Sequence, residues 1–306
     1  MEAARARRGA TVTRTLVLAA VLTGLLPGLL SCAPPRPSRP VIGAKNFTEQ
    51  VLLGELLAQH IEARTGLKVD RRFYLAGSYI CQQALEAGRI DGYVEYTGTA
   101  LTAILKQPAE KDRARALAIV QRLYRERYRV DVGESLGFEN TFAMIVRSED
   151  AARLHVANLS QAAAVASQWK LGVGYEFEER PDGLRGLEAA YGLKFDGSPR
   201  TMDLGLLYRA IEQRQVDIIA GNSTDGPIQP LHLTALADDR HYFPPYDAVP
   251  LFREDAYRRW PQMRAAVAEL AKKINAQEMQ AMNEAVDGQH RDPAEVVREF
   301  RAKKGL

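Results

Sequence analysis

Segments of strand and helix character alternate from Val41 onward, and this alternation constrains the fold more than any other feature of the chain. The pattern predicts, in order, a strand at 41–44, a helix that ends at Gly66, a strand at 68–74, a helix over 77–87 and a strand at 90–95. Asn46 and Glu49 are placed to form a capping box at the start of the first helix. This β-α-β-α-β order predicts an α/β fold with a mainly parallel sheet flanked by helices.

A second part of the chain, 211–226, echoes the pattern of 85–99. In both parts a helix ends in polar residues, an aspartate (Asp91 or Asp217) starts a strand, and a small polar loop with a glycine follows. The simplest structural meaning is two lobes of the same construction. Because ligands of open α/β sheets gather beyond the carboxyl ends of the strands, both loops are predicted to face one shared cleft.

The chain is predicted to pass between the two lobes twice. The apolar strand 141–146 would carry it into the second lobe, and the stiff segment 241–246 would return it. Lobe one is therefore predicted to consist of 41–141 plus 244–306, and lobe two of 142–243. Two crossings form a hinge, and closure of two lobes around a small solute is a known use of such an architecture.

The first 31 residues have the layout of a secretory signal. Four arginines stand against one glutamate, and an apolar run of 15 residues, 16–30, follows them. That run is shorter than the roughly 20 residues that cross a bilayer as a helix. A basic region, a short apolar region and a small residue before the cut are typical of a signal peptide. We therefore expect 1–31 to be removed and the protein to work outside the cytoplasm.

Cys32 follows Ser31 directly, and this junction resembles a bacterial lipobox, in which the cysteine thiol takes a lipid and becomes the mature N-terminus. The alternative is an ordinary cleaved signal followed by a cysteine that carries no lipid. Residues 32–40 are rich in proline and predict an extended tether. The resemblance implies a lipid-anchored protein, in the periplasm or at the outer face of the cell membrane.

Charge and cysteine content exclude further classes of function. Without 1–31, which hold four of the 41 Lys+Arg and one of the 38 Asp+Glu, the chain has 37 residues of each sign. A neutral chain with interspersed charges has no electrostatic reason to bind nucleic acid. Cys81 is the only other cysteine, and the five histidines are scattered. The sequence therefore predicts neither an internal disulfide of a lipidated chain nor a metal site.

Several short stretches, in the right order along the chain, resemble the substrate-binding proteins of glycine betaine/choline/carnitine importers of the ATP-driven (ABC) type. They are AKNFTEQ at 44–50, YTGT at 96–99, ERPDG at 179–183, TDG at 224–226 and HYFPPY at 241–246. The resemblance extends over nearly all of 41–306. It implies a two-lobed periplasmic-binding-protein fold of type II with two hinge crossings, and a solute that bears a quaternary ammonium group.

The resemblance also implies a set of site residues. A trimethylammonium group cannot donate hydrogen bonds, and aromatic faces attract its spread charge. Carried over from the family, the aromatic cage consists of Tyr96, Phe142 and Tyr208, whereas Lys45, Thr99 and Arg180 hold the carboxylate of a betaine. Further candidates for contact with the solute are Ser78, Asn222 and His232. The chain departs from the family in two places, with Phe142 where tyrosine is common and Leu231 or His232 at a fourth cage position.

Each of these residues also has a structural interpretation. Tyr96 follows a buried strand and could pack in the core, and Lys45 could be a solvated lysine. Arg180 could pair with Glu178 or Asp182 in the turn that follows it. Tyr208 could belong to the buried face of a helix, and Asn222 could shape its own loop. The sequence leaves these alternatives open.

The function that the resemblance implies is that of a receptor that delivers a quaternary ammonium osmoprotectant to an ABC permease. The chain has no phosphate-binding G-x-x-x-x-G-K-[ST] motif, so ATP hydrolysis is expected in a separate subunit. The alternatives are use of the same fold as a ligand sensor, or binding of another betaine-like solute. The sequence has no H-E-x-x-H motif, and no cysteine comes with an evident base, so we predict no enzymatic activity and no cofactor.

Overall fold

The computed structural model describes residues 38–306. The predicted signal peptide, Cys32 and most of the predicted tether therefore lie outside the described residues. Within 38–306, none of the helices combines the length and the apolar character that crossing a membrane requires.

Two five-stranded sheets form the framework of the described part of the chain. The strands of the first sheet are β1 (Val41–Gly43), β2 (Asp70–Arg72), β3 (Gly92–Tyr96), β4 (Val130–Val132) and β10 (Ala248–Arg253). The strands of the second sheet are β5 (Phe142–Arg147), β6 (Leu171–Val173), β7 (Arg200–Thr201), β8 (Ile218–Asn222) and β9 (Leu233–Ala235). We call each sheet with its covering helices a lobe.

The two sheets have the same topology. Their strand orders are β2-β1-β3-β10-β4 and β7-β6-β8-β5-β9. In the first sheet β1 pairs in parallel with β2 and β3, and β10 runs against β3 and β4. In the second, β6 pairs in parallel with β7 and β8, and β5 runs against β8 and β9. One strand of each sheet is thus reversed, and the predicted mainly parallel lobes are confirmed.

The helices of the described residues cover both sheets. Those of the first part of the chain are α1 (Thr48–Thr65), α2 (Ser78–Glu86), α3 (Thr97–Thr99), which continues as a π-helical turn (Ala100–Ile104), and α4 (Arg113–Tyr128). Those between the strands of the second sheet are α5 (Ser148–Leu154), α6 (Leu159–Ala162), α7 (Tyr175–Glu179), α8 (Leu184–Tyr191) and α9 (Leu204–Glu212), with 3₁₀ turns at Ala166–Gln168 and Gly226–Ile228. The last helices are α10 (Glu254–Arg259), α11 (Gln262–Ala268), α12 (Ala276–Asp287) and α13 (Pro293–Lys304).

The two ends of α1 differ in how well the sequence predicts them. Gly66 ends the helix as predicted, with a φ of 70° that favours glycine. The predicted capping box of Asn46 and Glu49 is wrong, because the N-cap residue is Phe47 and no side chain caps the helix. The Asn46 amide instead donates to Asp203 at 3.4 Å, and the Glu49 carboxylate points into the protein.

The chain crosses between the sheets twice, as predicted. It leaves the first sheet after β4 and enters the second at β5, and it returns between β9 and β10. Both reversed strands, β5 and β10, directly follow a crossing. The exact limits of the lobes, 41–141 plus 244–306 and 142–243, stay a prediction.

The apolar core holds α1 against the first sheet and against the C-terminal helices. Leu56, Leu57 and Ile61 of α1 are at most 1% exposed and belong to the same cluster as Met279 of α12 and Val297 of α13. Full burial of one such side chain contributes about 1.5–3 kcal/mol. The C-terminal helices thus return to the first lobe, and they fix the position of the loop that joins β1 to α1.

Candidate functional site

A cavity of about 310 Å³ lies between the two lobes, at the carboxyl ends of their parallel strands. Six of the nine residues that the sequence nominates for solute contact line it: Lys45, Tyr96, Thr99, Phe142, Arg180 and Asn222. Lys45 follows β1, Tyr96 ends β3, and Asn222 ends β8. The cavity therefore lies where the topology of open α/β sheets predicts a ligand site.

The other three nominated residues lie elsewhere. Tyr208 lines a neighbouring cavity of about 610 Å³ and donates its hydroxyl to Asp225 at 2.7 Å. Ser78 is fully buried at the start of α2, next to the first cavity. His232 is exposed on the loop before β9, where its backbone carbonyl accepts from Ser148.

Aromatic rings make up much of the wall of the first cavity. They are Phe47, Tyr96, Phe142, Tyr175, Phe177 and Tyr246. Phe142 is central among them, because its ring centroid lies 4.9 Å from that of Phe177 and 5.9 Å from that of Tyr246, both in edge-on geometry. Such a set of ring faces can attract a methylated cation from several sides.

Sequence reasoning missed four of these rings, and Tyr246 is the most consequential of them. Tyr246 is 2% exposed and donates its hydroxyl to Asp182 at 2.6 Å, across from the first lobe to the second. The sequence did contain a signal for it. Tyr246 ends the segment in which the chain returns between the lobes, a position that favours a place near the cleft.

Arg180 pairs with Asp182, one of the two partners that the sequence left open, and it also lines the cavity. Its guanidinium forms two hydrogen bonds with the Asp182 carboxylate, at 2.9 and 2.6 Å, and both side chains are buried. Its central carbon also lies 4.7 Å from the centroid of the Phe142 ring. Burial alone would raise the pKa of Asp182, but the charge and hydrogen bonds of Arg180 lower it below its ordinary value. Arg180 is thus a structural arginine at the wall of the cavity.

Lys45 is not a solvated lysine. Its side chain is 4% exposed, and its ammonium group pairs with the fully buried carboxylate of Glu95. The same carboxylate accepts from the Tyr93 hydroxyl at 3.2 Å and from the backbone N–H of Tyr96 at 2.8 Å. The Lys45 Nζ also lies 5.0 Å from the centre of the Tyr96 ring. Both cations of the cavity wall therefore have a buried carboxylate partner.

Glu49 holds the Tyr96 ring from behind. Its carboxylate accepts from the Tyr96 hydroxyl at 2.5 Å, from the Asn140 amide at 2.9 Å, from the Asn283 amide at 3.2 Å and from the Thr224 hydroxyl. Burial raises the pKa of Glu49, although these four donors oppose the rise. Tyr96 is 4% exposed, so it packs in the core and lines the cavity at the same time.

Asp225, at the loop after β8, provides a prediction about pH. Burial raises its pKa from 3.8 to about 6, against hydrogen bonds from the Tyr208 hydroxyl and from Asn222. Because the folded protein binds this proton more tightly than the unfolded chain, the contribution of Asp225 to stability is largest below about pH 4 and is lost as the pH rises through about 6. We expect the carboxyl carbon of Asp225 to titrate near pH 6 by NMR.

The matched variant is Asp225→Asn, which keeps the shape and removes the titration. Between pH 4 and pH 7, the free energy of unfolding of the original protein should fall relative to that of this variant, as measured by urea denaturation. A difference that stays constant over this range, or an ordinary midpoint near pH 4, would contradict the prediction.

Comparison with known proteins gives one consistent family. Residues 41–303 match the OpuAC family, described as the substrate binding domain of ABC-type glycine betaine transport systems. The chain is 34% identical over 264 residues to the carnitine transport binding protein OpuCC of Listeria monocytogenes, which covers 86% of this chain and 85% of that protein. It is 32% identical over 275 residues to the glycine-betaine-binding protein of Pseudomonas aeruginosa, with 85% of this chain and 86% of that protein covered.

Solved structures agree with these relatives. A crystal structure described as a glycine betaine/carnitine/choline ABC transporter superposes with a TM-score of 0.72 at 32% identity, and covers 87% of this chain and 98% of its own. A choline-binding protein of an ABC transporter in complex with choline superposes with a TM-score of 0.63 at 14% identity, with 87% of this chain and 89% of its own covered. The second likeness bears on the fold alone.

Proposed function

Because the chain belongs to the OpuAC family of substrate-binding domains of ABC-type glycine betaine transport systems, we propose that it captures a quaternary ammonium solute in the cavity between its lobes and delivers it to an ABC permease. The family consists of solute-binding receptors of transporters and not of enzymes. ATP hydrolysis belongs to a separate subunit of such a transporter.

The observation that carries the proposal is the chemistry of the cavity wall. Six aromatic rings line a cavity of about 310 Å³, and both cations in its wall are paired with buried carboxylates. Each contact between a ring face and an onium group contributes about 0.5–2 kcal/mol, more when water is excluded. A wall of this kind suits a methylated ammonium group better than an inorganic ion or a sugar, which need many hydrogen-bonding groups.

We assign roles to the residues that meet in this cavity. Tyr96, Phe142 and Tyr246 form the aromatic cage, with Tyr246 in the role that the resemblance implies for Tyr208. Arg180 and Thr99 are proposed to receive the carboxylate of a betaine, since the Nη1 atom of Arg180 makes no hydrogen bond within 38–306. Lys45, whose charge is paired with Glu95, contributes through its contact with the Tyr96 ring.

Isothermal titration of the purified protein tests this function. The solutes are glycine betaine, proline betaine, carnitine, choline and ergothioneine, with glycine as the control because it lacks the methyl groups. We expect saturable binding of at least one methylated solute with one site per chain, and no heat from glycine. A solute at 100 times its Kd should raise the free energy of unfolding by about 2.7 kcal/mol. Failure of every methylated solute to bind would overturn the proposal.

The place where the receptor works is a second part of the proposal. We infer that Cys32 carries a lipid that anchors the protein to a membrane outside the cytoplasm, as the sequence of the leader indicates. Cells fed a labelled fatty acid should incorporate the label into this protein, and Cys32→Ser should abolish the incorporation. Release of unlabelled protein by cells that express the original sequence would favour the ordinary cleaved signal instead.

A further inference from the structure

A glutamate of the second lobe reaches across the edge of the cavity to a helix of the first lobe. Glu176 belongs to α7, between two strands of the second sheet, and Ser78 is the first residue of α2, between two strands of the first. One carboxylate oxygen of Glu176 accepts from the backbone N–H of Ser78, and the other accepts from its hydroxyl at 3.0 Å. Glu176 also lines the cavity, 3.9 Å from the Nη1 atom of Arg180.

Helix α2 lacks a cap of its own. Its N-cap residue is Gly77, which has no side chain to cap the helix, and its first turn carries no acidic residue. The first N–H groups of a helix have no partner within the helix and attract negative charge. The Glu176 carboxylate supplies that missing cap from the opposite lobe, and hydrogen bonds that involve a charged group are the stronger ones.

Gly77 makes this contact possible because it has no side chain; its backbone conformation is ordinary. Its φ of −96° is available to any residue. A Cβ atom at this position would overlap the Glu176 carboxylate, far inside van der Waals contact. The Glu176 carboxylate thus occupies the space that a side chain at position 77 would fill.

We propose that Glu176 is a positioning residue for solute binding, which stabilises the closed arrangement of the lobes by capping α2. The inference rests on the proposed function, in which the solute is held between the two lobes. A contact that only the closed arrangement supplies raises the affinity for every solute that requires closure, by the same factor. Contact between Arg180 and a carboxylate, in contrast, would help only the solutes that carry one.

The test compares Glu176→Gln with a matched control in the same helix. Glu178→Gln removes the same charge, but Glu178 accepts from the Thr201 hydroxyl at 2.6 Å within the second lobe. Gly77→Ala and Ser78→Ala disturb the contact from the side of the first lobe. Affinities of all variants for choline and for glycine betaine would be measured by titration calorimetry on the full chain.

We expect Glu176→Gln and Gly77→Ala to raise the Kd of both solutes by about tenfold and by the same factor. Glu178→Gln should change neither Kd. The double variant Glu176→Gln with Ser78→Ala should lose less than the product of the single losses, since both residues share one contact. If Glu176→Gln lowered the affinity for choline but raised the affinity for glycine betaine, the carboxylate would act directly on the solute and the proposal would be overturned. Unchanged affinities would overturn it as well.

A second readout needs no solute and so separates this inference from the proposed function. Distances between one spin label on each lobe, measured by double electron–electron resonance, report the arrangement of the lobes in the solute-free protein. Glu176→Gln and Gly77→Ala should shift the distribution toward longer distances, whereas Glu178→Gln should not. If the original protein bound no quaternary amine but these distances still shifted, the proposed function would fail and the closing contact would stand. Identical distributions for the original protein and for these two variants would show that the contact does not stabilise the closed arrangement.

Discussion

Replacing Arg180 by alanine is expected to lower the free energy of unfolding by about 3–5 kcal/mol, because it leaves the buried Asp182 carboxylate without its cation. Arg180 and Asp182 are 4% and 6% exposed, and two hydrogen bonds join them. The Tyr246 and Thr102 hydroxyls also donate to Asp182, at 2.6 and 2.9 Å, but they supply no charge. Urea denaturation of the solute-free protein measures the effect.

The control for this prediction is the double variant Arg180→Ala with Asp182→Asn. Asparagine needs no cation, and its carbonyl can still accept from both hydroxyls. The double variant should therefore be more stable than Arg180→Ala alone, a non-additivity that neighbouring charged residues produce. A loss below about 1 kcal/mol in the single variant, typical of exposed ion pairs, would show that the pair is solvated in solution.

Arg180→Lys separates the charge from the geometry. Lysine keeps the positive charge but cannot form the two parallel hydrogen bonds or lie flat against the Phe142 ring. We expect this variant to recover part of the lost stability and little of the lost affinity. Affinity for a betaine should suffer more than affinity for choline in all Arg180 variants, since only a betaine offers a carboxylate.

Replacing Phe142 by alanine is expected to weaken the binding of any quaternary amine by about 2–3 kcal/mol, or roughly 30- to 150-fold in Kd. The variant removes a ring face, worth about 0.5–2 kcal/mol to an onium group, from the centre of the cage. It also removes the edge-on partner of Phe177 and Tyr246, and such ring pairs contribute about 0.5–1.5 kcal/mol each. The remaining rings would then hold their positions less firmly.

Two variants of Phe142 identify the cause. Phe142→Tyr keeps the ring face and should bind within a few-fold of the original protein. Phe142→Leu keeps an apolar side chain of similar size but has no ring quadrupole, so it should recover stability and not affinity. Equal affinities of the leucine and phenylalanine proteins for choline, measured by titration calorimetry, would exclude a cation–π role for this position.

The fold could be predicted from the sequence because the signals for it are local. Spacing of apolar residues defines α1, and Gly66 ends it through a positive φ that glycine adopts readily. The echo between 85–99 and 211–226 corresponds to β3 and β8, which hold the same place next to the reversed strand of each sheet. The start of α1 was wrong, because the Glu49 carboxylate is used by four donors from distant parts of the chain.

The site was harder to predict because its members are distant in sequence. Lys45 and Tyr96 could be nominated through the family resemblance, and both lie at or just beyond the end of a strand, as Asn222 does. Tyr208 has the right chemistry, but helical spacing alone does not say which cavity its face of α9 lines. Glu176 and Ser78 are 98 residues apart, and nothing in the local pattern of either indicates that they meet.

The buried partners of the two wall cations have a consequence for the setting in which such a receptor works. An unpaired lysine or arginine in the cleft would draw in chloride, sulfate or acetate, and every rise in external salinity would then displace the cargo. Glu95 and Asp182 cancel those charges where water and mobile ions do not reach, so screening by dissolved salt has little to act on. The affinity of this cavity for its solute should therefore change little as the ionic strength of the surroundings rises.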